Sequence, residues 1–247
     1  MKILGIIPAR YASTRFPGKP LVDINGKTMI MRVYEQSAKA FEFVCVATDD
    51  KRIFDHVNSC GGKAIMTSSL HASGTDRCEE ALDLISKELN SEFDVVVNIQ
   101  GDEPFVNPLQ LELLVSCFEN EKAQIATLVK VITNNNDIFD SNKPKVVLDK
   151  NNFAIYFSRS PIPFLRNINQ NDWANKNDYY KHIGLYAYRT NILREIIKLP
   201  LSKLETAESL EQLRWIENGY NIIAKITDIE TLSIDTPDDL KKVSLFL

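Results

Sequence analysis

Short apolar runs alternate with amphipathic stretches through the first half of the chain, and that alternation predicts the fold class. Ile3 to Ile7 is a continuous apolar run closed by Pro8, which reads as a buried parallel strand. Met29 to Ala40 sets Ile30, Val33 and Ser37 on one helical face, with Thr28 as its cap. Phe43 to Thr48 is a second buried strand, Lys51 to Asn58 a helix, and Lys63 to Met66 a third strand. In the next helix Cys78, Ala81, Leu82, Ile85 and Leu89 recur at three- and four-residue spacing. Phe93 to Gln100 is the clearest central strand. Asn107-Pro108 opens another helix with a cap and a first-turn proline, and Gln124 to Ile132 is a further strand. Strands and helices in this order predict an α/β fold with a mostly parallel sheet and helices on both faces.

Beyond that point the rhythm changes. Val146 to Asp149 and Phe153 to Ser158 flank the turn-rich Lys150-Asn151-Asn152, which predicts an antiparallel hairpin. Arg159 to Asp178 is irregular and Asn-rich, and His182 to Tyr188 reads as a strand. Helices are expected at Asn191 to Leu199 and near Glu205 to Asn218, then strands at Ile222 to Ile226 and Thr231 to Ile234, and a last helix. No internal repeat or long linker divides the chain. A single domain over residues 1–247 is expected, elaborated at about 140–190.

Composition narrows the function classes. The formal net charge of -4 disfavours nucleic-acid binding, which calls for a basic surface. No apolar run approaches the roughly 18 residues of a membrane span, so no membrane partner is expected. The four cysteines stand far apart without a CxxC pair, as in a reducing cytoplasm, and a structural zinc site is not expected.

Ala9 to Pro20 carries Arg10, Arg15 and Lys19 among Ser13, Thr14 and Gly18, framed by three prolines at 8, 17 and 20. Fixed positive charges on a stiff loop after a strand suit a polyphosphate, because open α/β sheets bind ligands at the carboxyl ends of their strands. A solvated basic loop is the plain alternative. Gly26-Lys27-Thr28 is not a P-loop, since the motif's first glycine would fall on Leu21. Ser73, Gly74 and Thr75 at a helix start offer N–H groups and hydroxyls to a base or phosphate, although capping alone explains Thr75 equally well. Arg77 is unfavourable in a first turn, a hint of a ligand role.

Asp102 follows the central strand and is placed to hold Mg²⁺, or else to cap the turn before Pro104. In Asp235 to Asp239, Thr236 and Asp239 form a capping box with Pro237 in the first turn, which leaves Asp235 as a second metal candidate. Arg159, His182, Tyr186, Glu211 and Gln212 suit a polyhydroxylated, carboxylated sugar, though each taken singly can be structural. His182 and Tyr186 share a strand face, and Glu208, Glu211 and Gln212 would share a helix face. His56 reads as structural, and His71 is open.

The run Ile7 to Leu21, IPARYASTRFPGKPL, closely resembles the N-terminal signature of 3-deoxy-manno-octulosonate cytidylyltransferases. The likeness continues in Val46 to Asp49, Ser73 to Arg77, Asn98 to Pro104, Lys145 to Asp149 and Tyr156 to Arg159. It ends in His182 to Tyr186, Leu210 to Arg214 and Asp235 to Asp239, so it spans nearly the whole chain in order. The resemblance implies a Rossmann-like nucleotidyltransferase fold and a cytoplasmic homodimer that joins CTP and Kdo (3-deoxy-manno-octulosonate) into CMP-Kdo and pyrophosphate for lipopolysaccharide assembly. It implies that Arg10, Ser13, Arg15 and Lys19 hold the triphosphate, while Ala9, Ser73, Gly74, Arg77 and Gln100 surround the cytidine. Asp102 and Asp235 would bind magnesium, and with Arg15 and Lys19 they are the catalytic candidates. Arg159, His182, Tyr186, Glu211 and Gln212 would hold the sugar acid, with the elaboration near 140–190 adding sugar and dimer contacts. Two departures stand out: Ala72 where many relatives carry Gln, and Phe164-Leu165-Arg166 where many carry a Trp. Other acceptors, an 8-amino Kdo analogue or a sialic acid, are the alternative; a sugar 1-phosphate acceptor would call for a more cationic site.

Overall fold

The structure, a computed structural model, describes residues 1–12, 16–230 and 232–244. They form two compact units. One comprises Met1–Glu112, Ala187–Ile197 and the described part of Thr231–Leu247; the other comprises Leu113–Tyr186 and Lys198–Glu230.

The first unit is built on parallel strands. Ile3–Ala9 lies between Phe43–Thr48 and Val95–Asn98, and Ala64–Met66 adds to the outer side of Phe43–Thr48. Apolar side chains fill the strands on both faces, as a buried parallel sheet requires. The helices Met29–Ala40, Lys51–Ser59 and Gly74–Leu89 connect them. Strand order runs one way from Ile3–Ala9 through Phe43–Thr48, then returns to its other side at Val95–Asn98. With right-handed crossovers, that reversal leaves a crevice at the carboxyl ends of Ile3–Ala9 and Val95–Asn98.

A separate hydrophobic cluster sits beside this crevice. Ile24, Met29 and Ile234 are buried together, and Phe16, Phe105 and Leu240 pack on them. These residues flank Lys19, Asp102 and Asp235 in sequence, so apolar burial gathers three distant segments. The sequence missed one element here: Asp23–Ile24 and Lys27–Thr28 pair as a small hairpin about Asn25-Gly26, with φ of 49° and 79°. Thr28 does precede the helix Met29–Ala40, but its hydroxyl lies 2.8 Å from His56 Nε2 instead of capping.

In the second unit Ile125–Val131 and Ile222–Ile226 are parallel neighbours. Lys145–Leu148 pairs antiparallel with Ala154–Ser158, the expected hairpin, and also with the start of Tyr180–Arg189. The Asp149 carboxylate accepts from the N–H groups of Asn151 and Phe153 and closes the turn. The stretch read as irregular has a core of its own: Trp173, Tyr179, Ile132 and Ile138 are buried, with Trp173 stacked on Tyr179 at 5.9 Å.

Two expected elements differ. Glu205 to Asn218 is not one helix but two, Lys203–Glu208 and Gln212–Glu217, because Ser209 turns left-handed at φ 51°. Leu232 to Ile234 form no strand among the described residues; Ile234 N–H instead donates to Asp102 O at 2.9 Å.

Candidate active site

The crevice of the first unit is lined by Ala9, Arg10, Lys19, Ser73, Gly74, Arg77, Gln100, Asp102 and Asp235, together with His71 and Ala72. Its cavity volume is about 270 Å³, close to the lower end of the range of small-molecule sites. Ser13 and Arg15 lie outside the described residues.

Three loops shape it. Gly18, at φ 72°, closes the basic loop by donating from its N–H to Tyr11 O, and a side chain there would meet the Tyr11 hydroxyl at 3.0 Å. Lys19 then opens a short 3-10 turn. Gly101 lets the segment after Val95–Asn98 pass close to the first strand, where an added Cβ would stand 3.0 Å from Pro8 O. At the third loop Ser73, not Thr75, is the cap: its hydroxyl accepts from Asp76 N–H and the Asp76 carboxylate accepts from Ser73 N–H. The helix Gly74–Leu89 therefore aims its N-terminus at the crevice, favourable for an anion or an electron-rich base edge.

Arg77 is buried and held by Thr67 Oγ1 at 2.6 Å and Asp49 Oδ2 at 3.1 Å, which offsets its unfavourable place in a first turn. His71 contacts the Glu80 carboxylate, which also accepts from Ser68 N–H. Burial pushes the Glu80 carboxyl up, but those hydrogen bonds outweigh it and hold the group below its ordinary value.

At the crevice floor the Lys19 ammonium lies 2.8 Å from Asp102 Oδ2 and 3.2 Å from Asp235 Oδ1. The backbone bond from Ile234 to Asp102 fastens the two acidic segments side by side. Beyond it Thr236 and Asp239 complete the capping box as expected, and Asp235 N–H also donates to the Asp239 carboxylate at 3.2 Å.

The sugar-acid candidates all fall in the second unit. His182 and Tyr186 lie four residues apart on one strand with ring centroids 5.2 Å apart; Phe157 packs T-shaped on His182 and Trp215 T-shaped on Tyr186. Burial lowers His182 to about 4, so it is neutral at pH 7, with Nε2 3.2 Å from Thr127 Oγ1. Burial raises the Tyr186 phenol well above 10, and the nearby Glu211 charge raises it further. Gln212 is buried and its amide nitrogen has no partner. Arg159 is held otherwise: its guanidinium donates to the carbonyls of Ser141, Glu208 and Ser209. Because Ser209 breaks the helix, Glu208 faces Ser158 and Arg159 and does not share a helix face with Glu211 and Gln212.

The family model described as Cytidylyltransferase matches residues 4–226. The chain belongs to the cytidylyltransferase family. A 3-deoxy-manno-octulosonate cytidylyltransferase of Parabacteroides distasonis is 56% identical to it, covering 100% of this chain and 98% of the relative. Another, of Bacteroides thetaiotaomicron, is 59% identical over 100% of this chain and 98% of its own. The solved structure of CMP:2-keto-3-deoxy-manno-octonic acid synthetase complexed with CTP superposes with a TM-score of 0.90 at 42% identity, over 100% of this chain and 98% of that one.

Whether this cytidylyltransferase can hold a divalent cation is testable on its own donors. Asp102 and Asp235 already converge on one cationic nitrogen, and both offer hard carboxylate oxygens. Two carboxylates suit magnesium, which takes one or two of them and completes its shell with phosphate and water. The donor set fits.

Sequence reasoning passed over several residues that shape the site. Glu103 is buried beside Asp102 with one carboxylate oxygen unpartnered; burial and the Asp102 charge push it up to about 7. Its place next to Asp102 was visible, its burial was not. Asp49 lay in the resembling stretch Val46 to Asp49 without a role assigned to it, and Thr67 carried no signal beyond its position at a strand end; the two pin Arg77.

Proposed function

We propose that this cytidylyltransferase transfers CMP from CTP to the anomeric 2-hydroxyl of Kdo, giving CMP-Kdo and pyrophosphate for lipopolysaccharide biosynthesis, as a cytoplasmic homodimer using Mg²⁺. Support comes above all from full-length likeness to 3-deoxy-manno-octulosonate cytidylyltransferases, at 56% identity in one case. The crevice adds to it, with its cationic loop, a helix N-terminus in its lining and two converging carboxylates.

In this scheme the triphosphate lies along Arg10, Ser13, Arg15 and Lys19, and the cytidine against Ala9, Ser73, Gly74, Arg77 and Gln100. Asp102 and Asp235 hold the magnesium, which when bound supplies Lewis-acid charge that lowers the pKa of the attacking hydroxyl. The 2-hydroxyl gives its proton to solvent and attacks the α-phosphorus, the bond from that phosphorus to the oxygen bridging it to the β-phosphate breaks, and pyrophosphate leaves with that oxygen. Such a transfer depends on positioning and charge rather than on covalent help from protein. Arg15 and Lys19 neutralise charge on the leaving pyrophosphate. Arg159, His182, Tyr186, Glu211 and Gln212 grip the sugar acid. His182, neutral near pH 7, serves as a hydrogen-bonding wall and not as a proton carrier. The unpartnered Gln212 amide would gain an acceptor from the bound sugar.

The test is pyrophosphate release with CTP, Mg²⁺ and Kdo, beside 8-amino Kdo, a sialic acid and no acceptor. Release with Kdo that vanishes on chelation is expected. Release with the amino analogue alone would move the sugar assignment, and silence with every acceptor would overturn the activity.

A further inference from the structure

We propose that Lys145, together with Glu208, is a positioning residue for the acid sugar, holding in register the segments that carry Arg159, His182, Glu211 and Gln212. This rests on the assignment of those residues to the sugar made above.

Lys145 starts the strand Lys145–Leu148 and is fully buried. A buried ammonium is costly unless it is well bonded, and a methionine would fill the same space without that cost. Its partners are not carboxylates. Nζ donates to the main-chain carbonyls of Asp140 at 2.8 Å and Arg159 at 2.7 Å. It thus ties a turn to the end of the strand Ala154–Ser158, and the strand pairing sets Lys145 opposite Lys181, next to His182. His182 N–H donates to Pro144 O at 2.9 Å, so the backbone on either side of the ammonium is in register with the sugar-facing strand.

Glu208 continues the chain of bonds. One carboxylate oxygen accepts from Ser158 Oγ at 2.6 Å and the other from Arg159 N–H at 2.9 Å. The Arg159 guanidinium then donates to Glu208 O at 2.6 Å and Ser209 O at 3.2 Å, bracing the left-handed residue that ends the first helix. Glu211 and Gln212 follow directly. They sit at the start of a short helix that packs on the strand Ala154–Ser158, so their placement follows that strand and the 208–209 turn anchored to its end. Burial pushes the Lys145 ammonium below its ordinary pKa, a pull opposed by the charge of Asp140.

The experiment is steady-state kinetics, varying Kdo at saturating CTP and CTP at saturating Kdo, with melting curves for each variant. Lys145→Met and Glu208→Gln are each expected to raise the KM for Kdo by about tenfold while that for CTP stays within about twofold, the signature of a lost positioning contact. Lys145→Arg should recover part of the Kdo KM, since its fork can still reach main-chain carbonyls. Should Lys145→Met not fold, Glu208→Gln decides by the same criteria. Equal loss toward both substrates, or an unchanged Kdo KM in a folded variant, would overturn the proposal. Gln212→Ala is run alongside: an unchanged Kdo KM there would remove the sugar-site assignment itself, a failure separate from that of Lys145.

Discussion

Lys19 Nζ lies 2.8 Å from Asp102 Oδ2, and its side chain is only 15% exposed. The ammonium also reaches Asp235, so one lysine neutralises both carboxylates that the proposed chemistry assigns to magnesium. Under the proposed assignment, a triphosphate would compete with the carboxylates for Lys19, and drawing the ammonium to phosphate would free the acidic pair for a cation.

Lys19→Met is accordingly expected to bind Mn²⁺ in the absence of nucleotide about tenfold more tightly than the wild type, a shift read by titration calorimetry. Arg10→Met removes the same charge from the crevice without touching the acids, and should change that affinity far less. Turnover should fall in both variants.

Asp102→Asn and Asp235→Asn are each expected to lower turnover by about 10²- to 10³-fold, on the scale of losing a key electrostatic group. Each leaves Lys19 with one carboxylate partner, so the melting temperature should move little. Full activity in either variant would dismiss the assigned roles.

Glu103 makes the metal-free protein sensitive to alkaline pH. Its carboxyl titrates at about 7 when folded, against 4.5 when unfolded. The native state is thus favoured below pH 4.5, and that advantage drains away as pH rises through 7. Glu103→Gln should be more stable than the wild type at pH 8 by up to about 3 kcal/mol, and no more stable at pH 4. Denaturant melts in chelator across that range measure the difference.

His182 acts in the opposite direction. Its folded pKa of about 4 lies below the ordinary 6.5, so the unfolded chain binds the extra proton first. Stability is complete above pH 6.5 and falls as pH drops toward 4. His182→Phe should flatten that acid limb in melting experiments. In the intact enzyme, the pH profile of kcat/KM for Kdo should show no break near 6.5 from this residue.

Much of this was legible in the sequence because it was local. The period of the apolar residues marked the parallel strands, the Asn-rich turn marked the hairpin 145–158, and Thr236-Pro237 with Asp239 marked a helix start. Asp235 stood out as the one acid the cap did not explain. Likeness of ordered motifs added the roles of residues whose chemistry alone was ambiguous. Local rules misled where a neighbour in space decided the outcome. Thr28 gave its hydroxyl to His56, Ser73 took the cap that Thr75 also fitted, and Ser209 split a helix that periodicity had joined.

The sequence by itself determined the α/β class, the alternation of the main strands and helices through the first half, and the kinds of group available for chemistry, because these follow from short-range periodicity and residue type. Only the tertiary structure decided that Asp102 and Asp235 converge on Lys19, that Arg77 is pinned by Asp49, that Glu103 and Lys145 are buried, and that Gln212 keeps an unpartnered amide. Those facts depend on desolvation and on contacts between segments far apart in the chain, as when burial of Ile24, Met29 and Ile234 draws three loops together. Neither burial nor long-range pairing is written in the spacing of residues along a strand or helix.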